Sequence, residues 1–269
     1  MKIHPTAIID PGAVLGAQVS IGPFAVIEGG TAIGDHCVIG PHAVISRYTS
    51  LGPGCRVHAG AVLGDVPQDV AFKDVESYLK VGAGCIIREG VTIHRGTKAG
   101  TSTMVGDRCF LMALSHLGHN VQMGDDVIVV NGALLAGYVE VGSRAFISGH
   151  AGVHQFTRIG RLAMVSGCSA ISKDVPPFCT ARAASLNWIA GLNVVGMRRA
   201  GIAAGERQAV RTAFKVLYRS GLNVSQALSR LKEEFKEGPA RELWEFVAAS
   251  KRGICAFGGS EEADDEEQR

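Results

Sequence analysis

The 269-residue chain has seven cysteines but no CxxC pair. Scattered at 37, 55, 85, 109, 168, 179 and 255, they suit neither a disulfide framework nor a zinc knuckle. A net charge of +2 is too small to argue for nucleic acid or a membrane surface. No unbroken apolar run is long enough to cross a bilayer. The opening MKIHPTAIIDPGAV lacks a charged-then-apolar leader. A cytoplasmic protein is the expectation. Aromatic residues are scarce, at 6%. Glycine, by contrast, fills 35 positions, roughly twice its ordinary share.

The pattern that organises the chain has a period of six. From Ile9, every sixth residue through Leu63 is aliphatic; the series resumes at Val81, Ile87 and Ile93, then runs from Val105 to Ile171. None of these 25 anchors is polar. The residue four after each anchor is small in nearly every case (Ala13, Ala25, Cys37, Ala43, Cys55), and the residue directly after it is often Gly. Six matches neither the 3.6 of a helix nor the two of a strand. It is the period of a hexapeptide parallel β-helix, in which three short strands and three turns make an 18-residue coil. Anchors and small partners face the axis, and the glycines are expected where turns need a positive φ. Cys37, Cys55, Cys85 and Cys109 take the small inward position, where a thiol acts as a compact hydrophobe.

Two interruptions, near 65–80 and 94–104, keep the six-residue phase and read as loops extruded from a continuous solenoid over 1–178. Loops on a rigid scaffold commonly carry function. Beyond Pro176-Pro177 the period stops, and 179–255 reads as a linker followed by a small α-helical domain. Val210, Ala213, Phe214 and Leu217 form one apolar helix face. Asn223 with Gln226 suits a capping box at the start of a second helix, and Pro239 opens a third. Residues 256–269 read as a disordered acidic tail.

Two histidines lie three apart in LSHLGHNVQMG (114–124). His119 falls two residues after the anchor Leu117 and so points outward; His116 lies in the turn before it. Positions 18 apart stack at about 4.8 Å, which places Gly137 beside His119 and Gln155 beyond it, flanked by Tyr138 and His154. An outward imidazole next to a bare glycine suits a general base beside an oxyanion donor. The same spacing also allows a pair of exposed surface residues.

Several motifs then resemble one family: VPQD (66–69), IREGVTIHRGT (87–97), SHLGHN (115–120), LAG (135–137), GVHQF (152–156), DVPPF (174–178), GLNVVGMRR (191–199) and VLYRSG (216–221). The chain resembles the acyl-[acyl-carrier-protein]–UDP-N-acetylglucosamine O-acyltransferases, which make the first acyl transfer of lipid A synthesis. The resemblance implies a left-handed coil and a homotrimer with sites in the grooves between subunits. It also implies an acyl carrier protein thioester as co-substrate, with no resident cofactor or metal. His119 would deprotonate the 3-hydroxyl of UDP-N-acetylglucosamine for attack on a 3-hydroxyacyl thioester, and the Gly137 N–H would hold the oxyanion. Gln68, Asp69, His116, His154, Gln155, Asn193 and Arg199 match positions that hold the sugar nucleotide or lie near it. Gly167 matches the position that limits acyl-chain length.

Four residues depart from the family's pattern. Ala71 stands where a lysine is usual, leaving Lys73 as the nearest replacement. Tyr138 replaces a histidine, Asn120 an aspartate, and Val195 a glutamate. The basic row Arg207, Arg211, Lys215 and Arg219 suits docking of an acidic carrier protein, or simply a solvated helix face. Three other readings share the scaffold. N-acyl transfer to a UDP-amino sugar needs the same base. A metalloenzyme like the γ-type carbonic anhydrases would use His116, His119, His150 and His154, although their phases place them on different arcs. A non-catalytic solenoid leaves the loops and the His/Gly/Gln column without a purpose.

Overall fold

The computed structural model describes residues 1–182 and 186–258. From Lys2 to Ile171 the chain winds as a left-handed parallel β-helix of three sheets. Its strands are two to four residues long, and each pairs in parallel with the strand one coil away. Leu117 lies opposite Leu135, and Leu135 opposite Val153. Both interruptions preserve register, with Leu63 opposite Ile93 and Val81 opposite Val105.

The anchors form the core. From Ile21 to Ile171 each is at most 5% exposed. Ile9 and Leu15 are only half-buried, since the first coil has no neighbour on one side. Burying an aliphatic side chain contributes about 1.5–3 kcal/mol gross, largely offset by chain entropy; stability therefore depends on coils stacking. Cys37, Cys55, Cys85 and Cys109 are buried in one column, each thiol donating to a glycine carbonyl of the next coil.

Gly30, Gly54, Gly60, Gly84, Gly90 and Gly132, each three residues after an anchor, take turns with positive φ as expected, but the glycines directly after an anchor serve a different purpose. Apart from Gly64, those directly after an anchor do not have positive φ; that conformation falls two residues later, often on large residues such as His36, Tyr48, Asn120 and Tyr138. What excludes a side chain after the anchor is the next coil: a Cβ on Gly34 would lie 2.7 Å from the Pro53 nitrogen. Neither backbone can give way without breaking the ladder. Gly34→Ala is expected to lower unfolding stability by about 1–3 kcal/mol, measured by chemical denaturation.

The C-terminal region is less of a linker than expected. Cys179–Arg182 and Trp188–Leu192 are strands that extend the first sheet as an antiparallel pair. Among the described residues four helices follow: α1 (Val194–Arg199), α2 (Ala204–Arg219), α3 (Val224–Glu234) and α4 (Gly238–Ala248). Asn223 caps α3 in a capping box with Gln226. Arg161 clamps α4 to the solenoid through Glu242, and Arg158 stacks on Phe246 at 4.2 Å. The expected tail is in part ordered: Ala256–Phe257 pairs with Trp188–Ile189. Residues 259–269 lie outside the described residues.

Candidate active site

The corner after the second sheet carries the site. His119, Gly137 and Gln155 stack one per coil, tied by Tyr138 N–H to His119 O at 2.9 Å and Phe156 N–H to Gly137 O at 3.1 Å. They line a groove of about 620 Å³ together with Gln68, His94, His116 and His154. Its floor is the outer face of the second sheet, where Gly152 and Ala170 leave an open trough beside Leu134.

The imidazole of His119 lies directly over Gly137. A Cβ on that glycine would be 2.5 Å from His119 Nε2, so the ring takes the space a side chain would need. The Gly137 N–H makes no hydrogen bond among the described residues. Equivalent amides at the next corner are capped from the following coil: Ala17 by Asp35 Oδ1 at 2.7 Å, Ala83 by Asp107 Oδ1 at 2.7 Å, and Asp125 by Ser143 Oγ at 3.1 Å. At Gly137 the residue one coil on is Gln155, and its side chain makes no such cap. One donor and one ring nitrogen therefore face the same groove.

His119 Nδ1 lies 3.2 Å from Asn120 Oδ1, leaving Nε2 toward Gly137. His116 lies in the strand His116–Leu117 and not in the expected turn, opposite Thr92, and its Nδ1 bonds Thr92 Oγ1 at 2.7 Å. Burial, and then the nearness of His119, lower the His116 pKa. His94 packs edge-on against His116 at 4.8 Å. It was not picked out from the sequence, although it follows the anchor Ile93. Burial, followed by the repulsion of His116, pushes its pKa down from 6.5 to about 4. The folded chain thus resists a proton that the unfolded chain accepts near pH 6.5. The contribution of neutral His94 is complete above that pH and is lost as the pH falls toward 4, on the order of 2 kcal/mol after solvent screening. Denaturation midpoints measured from pH 7 to 4 should fall less steeply for His94→Asn than for the natural chain.

The first extruded loop overhangs the groove and brings Gln68. A residue not singled out from the sequence holds it there: Arg95 is 1% exposed, donates to Asp74 Oδ1 at 2.6 Å, and lies 5.5 Å from the Tyr48 ring and 5.6 Å from Phe72. Undocking this loop would leave a buried charge without its partner, which is strongly unfavourable.

Other expected residues fall elsewhere. Asp69 Oδ1 accepts from Ala71 N–H, capping a turn of the loop itself. Lys73 is exposed and is not among the described residues lining the groove. Tyr138 stands behind His119, edge-on at 5.2 Å. Gly167 sits at a different corner, facing Gly149 O and Ser148.

Asn193 and Arg199 line a separate cavity of about 660 Å³, over Ile128, Phe146 and Met164 on the first sheet. Asn193 caps α1, accepting from Gly196 N–H and donating to Leu162 O. In the basic row, Arg207 donates to Ile202 O and Arg219 stacks on Phe257 at 4.7 Å; Lys215 is exposed. His150 lies against Gly132 at another corner. Among the described residues no three His, Cys, Asp or Glu groups are placed to hold a metal ion, and no helix is long and apolar enough to cross a membrane.

The family described as "Udp N-acetylglucosamine O-acyltransferase; Domain 2" matches residues 174–255, and the bacterial transferase hexapeptide family matches 12–47 and 102–137. The acyl-[acyl-carrier-protein]–UDP-N-acetylglucosamine O-acyltransferase of Azotobacter vinelandii is 52% identical over 254 residues, covering 94% of this chain and 98% of the relative. That of Syntrophobacter fumaroxidans is 40% identical over 256 residues, covering 94% and 99%. The structure of the UDP-N-acetylglucosamine O-acyltransferase from Moraxella catarrhalis superposes with a TM-score of 0.91 at 36% identity, covering 95% and 100%. By sequence along nearly its whole length and by fold, this chain belongs to the acyl-[acyl-carrier-protein]–UDP-N-acetylglucosamine O-acyltransferase family of acyltransferases.

Proposed function

We propose that the protein transfers a 3-hydroxyacyl group from acyl carrier protein to the 3-hydroxyl of UDP-N-acetylglucosamine, the first step of lipid A synthesis, in the cytoplasm. His119 Nε2 takes the hydroxyl proton as the oxygen attacks the thioester carbonyl. The tetrahedral oxyanion rests on the Gly137 N–H. On collapse the carbon–sulfur bond breaks, and the imidazolium returns its proton to the departing thiolate. The observation that carries this reading is the imidazole seated over a glycine whose N–H has no partner among the described residues. Gln68, His116, His154 and Gln155 would hold the sugar nucleotide along the groove. The acyl chain would run in the trough toward Gly167.

The working unit is a homotrimer. From Ile86 onward the outer face of the first sheet is apolar (Ile86, Phe110, Ile128, Phe146, Met164). So is much of the second (Val26, Val44, Val62, Leu134). The third instead presents Ser50, Lys80, Gln122, Glu140 and Arg158. Two different apolar faces per chain suit a head-to-tail contact that closes into a ring. Such a contact would bring Asn193 and Arg199 of one copy to the groove of the next. Arg211 and Lys215 would steer the acidic carrier protein.

The purified protein, mixed with UDP-N-acetylglucosamine, its 3-amino analogue and 3-hydroxyacyl carrier proteins of several chain lengths, should yield the O-acyl product by mass spectrometry. Light scattering should give about three times the chain mass of 28.2 kDa. Product from the 3-amino acceptor alone would replace this reading with N-acyl transfer, which Ala71 and Val195 leave open.

A further inference from the structure

We propose that Arg252, with Lys173 beside it, forms a phosphate-binding subsite at the far end of the groove, where it takes a phosphate ester of a substrate. This deepens the proposed acyl transfer and rests on it, since both substrates of that reaction carry such an ester. The row of corner residues leads to the place. Ile171 lies opposite Val153, so Lys173 follows Gln155 as Gln155 follows Gly137. The row His119, Gly137, Gln155, Lys173 therefore spans three coils, about 14 Å, and ends in a cation. Ser172, next to Lys173, lines the groove together with His154.

A second cation reaches the same end from the C-terminal segment. Ser250 Oγ donates to Asp174 Oδ2 at 2.7 Å, Asp174 N–H to Gly253 O at 2.9 Å, and Cys255 N–H to Asp174 O at 2.8 Å. Strapped down at these points, the segment lays Arg252 beside the groove. Its Nε donates to Ser172 O at 3.0 Å, and a terminal nitrogen lies 3.3 Å from His154 Nδ1. The guanidinium is half-buried and held in place, yet it has no carboxylate partner among the described residues. Lys173 and the neighbouring Lys251 have none either. Arg158 and Arg161 nearby in sequence are by contrast paired, with Glu140 and Glu242. The acid on these two segments, Asp174, is 1% exposed, and its carboxylate accepts from Ser250 and from Arg158 N–H. A fixed guanidinium with donors to spare and no counter-charge suits phosphate oxygens, and a flexible lysine adds attraction as a point charge. The acceptor carries a diphosphate on its sugar. The acyl donor carries a phosphodiester where its thioester arm joins the carrier protein.

Calorimetry and steady-state kinetics on the full chain test this, with UDP-N-acetylglucosamine and 3-hydroxyacyl-phosphopantetheine as separate probes. Arg252→Gln should weaken binding of one probe about tenfold, the worth of a hydrogen bond to a charged group. The KM for that substrate should rise in step, with kcat within about twofold because His119 lies coils away. Arg252→Lys, which keeps the charge, should recover most of the loss. Added salt should narrow the gap between the natural protein and Arg252→Gln. Weaker binding of the sugar nucleotide assigns the subsite to its diphosphate. Weaker binding of the acyl donor assigns it to the carrier's arm, and acyl-pantetheine without the phosphate should then bind both proteins alike. Thermal melting checks the fold. Should Arg252→Gln not fold, Lys173→Gln decides in its place, with an expected loss of about threefold; the Lys173 side chain makes no hydrogen bond among the described residues. Unchanged affinity for both probes in the folded variant would overturn the proposal. A natural protein that binds both probes without forming O-acyl product would instead refute the functional reading, and the binding data would still decide the subsite.

Discussion

His119→Ala is expected to lower kcat by about 10²–10⁴-fold, the range contributed by a positioned general base, while melting as the natural protein does. The two halves of that expectation have separate causes. The rate falls because His119 is the histidine seated over Gly137. His116 Nδ1 is engaged with Thr92, and His94 is buried behind it with its pKa near 4. The fold survives because His119 is a half-buried, outward residue at a corner, whereas the coil depends on the anchors Leu117 and Leu135, each fully buried. Steady-state kinetics and a thermal melt on the same sample check both. A loss of several kcal/mol in stability with a proportionate loss of active protein would make His119 structural instead.

Gly137→Ala should be nearly as damaging, lowering kcat by about 10²–10³-fold, comparable to the loss of an oxyanion donor. Gly137 does not have a positive φ, so alanine meets no backbone penalty there. The new methyl would instead occupy the space of the His119 ring, 2.5 Å from Nε2. The groove is open, so the ring can swing outward rather than the coil giving way, and its bond to Asn120 is lost in doing so. One methyl thus displaces the base and crowds the amide beside it. The same substitution at Gly34 has the opposite outcome, because there the methyl meets the Pro53 backbone and stability falls. Two glycine-to-alanine changes, one affecting turnover and the other folding, separate the corner's chemistry from the coil's packing.

The solenoid was readable because its period is strict. Once Leu117 and Leu135 are taken as inward anchors, the stacking of His119 on Gly137 follows by counting, and the register confirms it. The role of the glycines directly after the anchors was not readable. A glycine wanted for positive φ and one wanted for close approach look alike in a sequence, and here the second applies after the anchors while Tyr138 and Asn120 take the left-handed turns. The loop residues were harder still. Arg95 is buried by Tyr48 and Phe72, which are distant in sequence, and no local pattern announces such a cage. His94 could have been found, since it follows an anchor on the same face as His116. The strands at Cys179–Arg182 and Trp188–Leu192 are too short to stand out once the six-residue period has ended. Asn193 and Arg199 carry family motifs, yet within one chain they face a cavity apart from His119.

The most direct measurement is the structure of the protein with its UDP-sugar acceptor bound. The acceptor's 3-oxygen should lie within about 3.2 Å of His119 Nε2, with the Gly137 amide open toward the place where a thioester carbonyl would meet that oxygen. A sugar seated in the groove with its 3-oxygen turned away from His119, or bound only over Asn193 and Arg199, would contradict base catalysis at this corner.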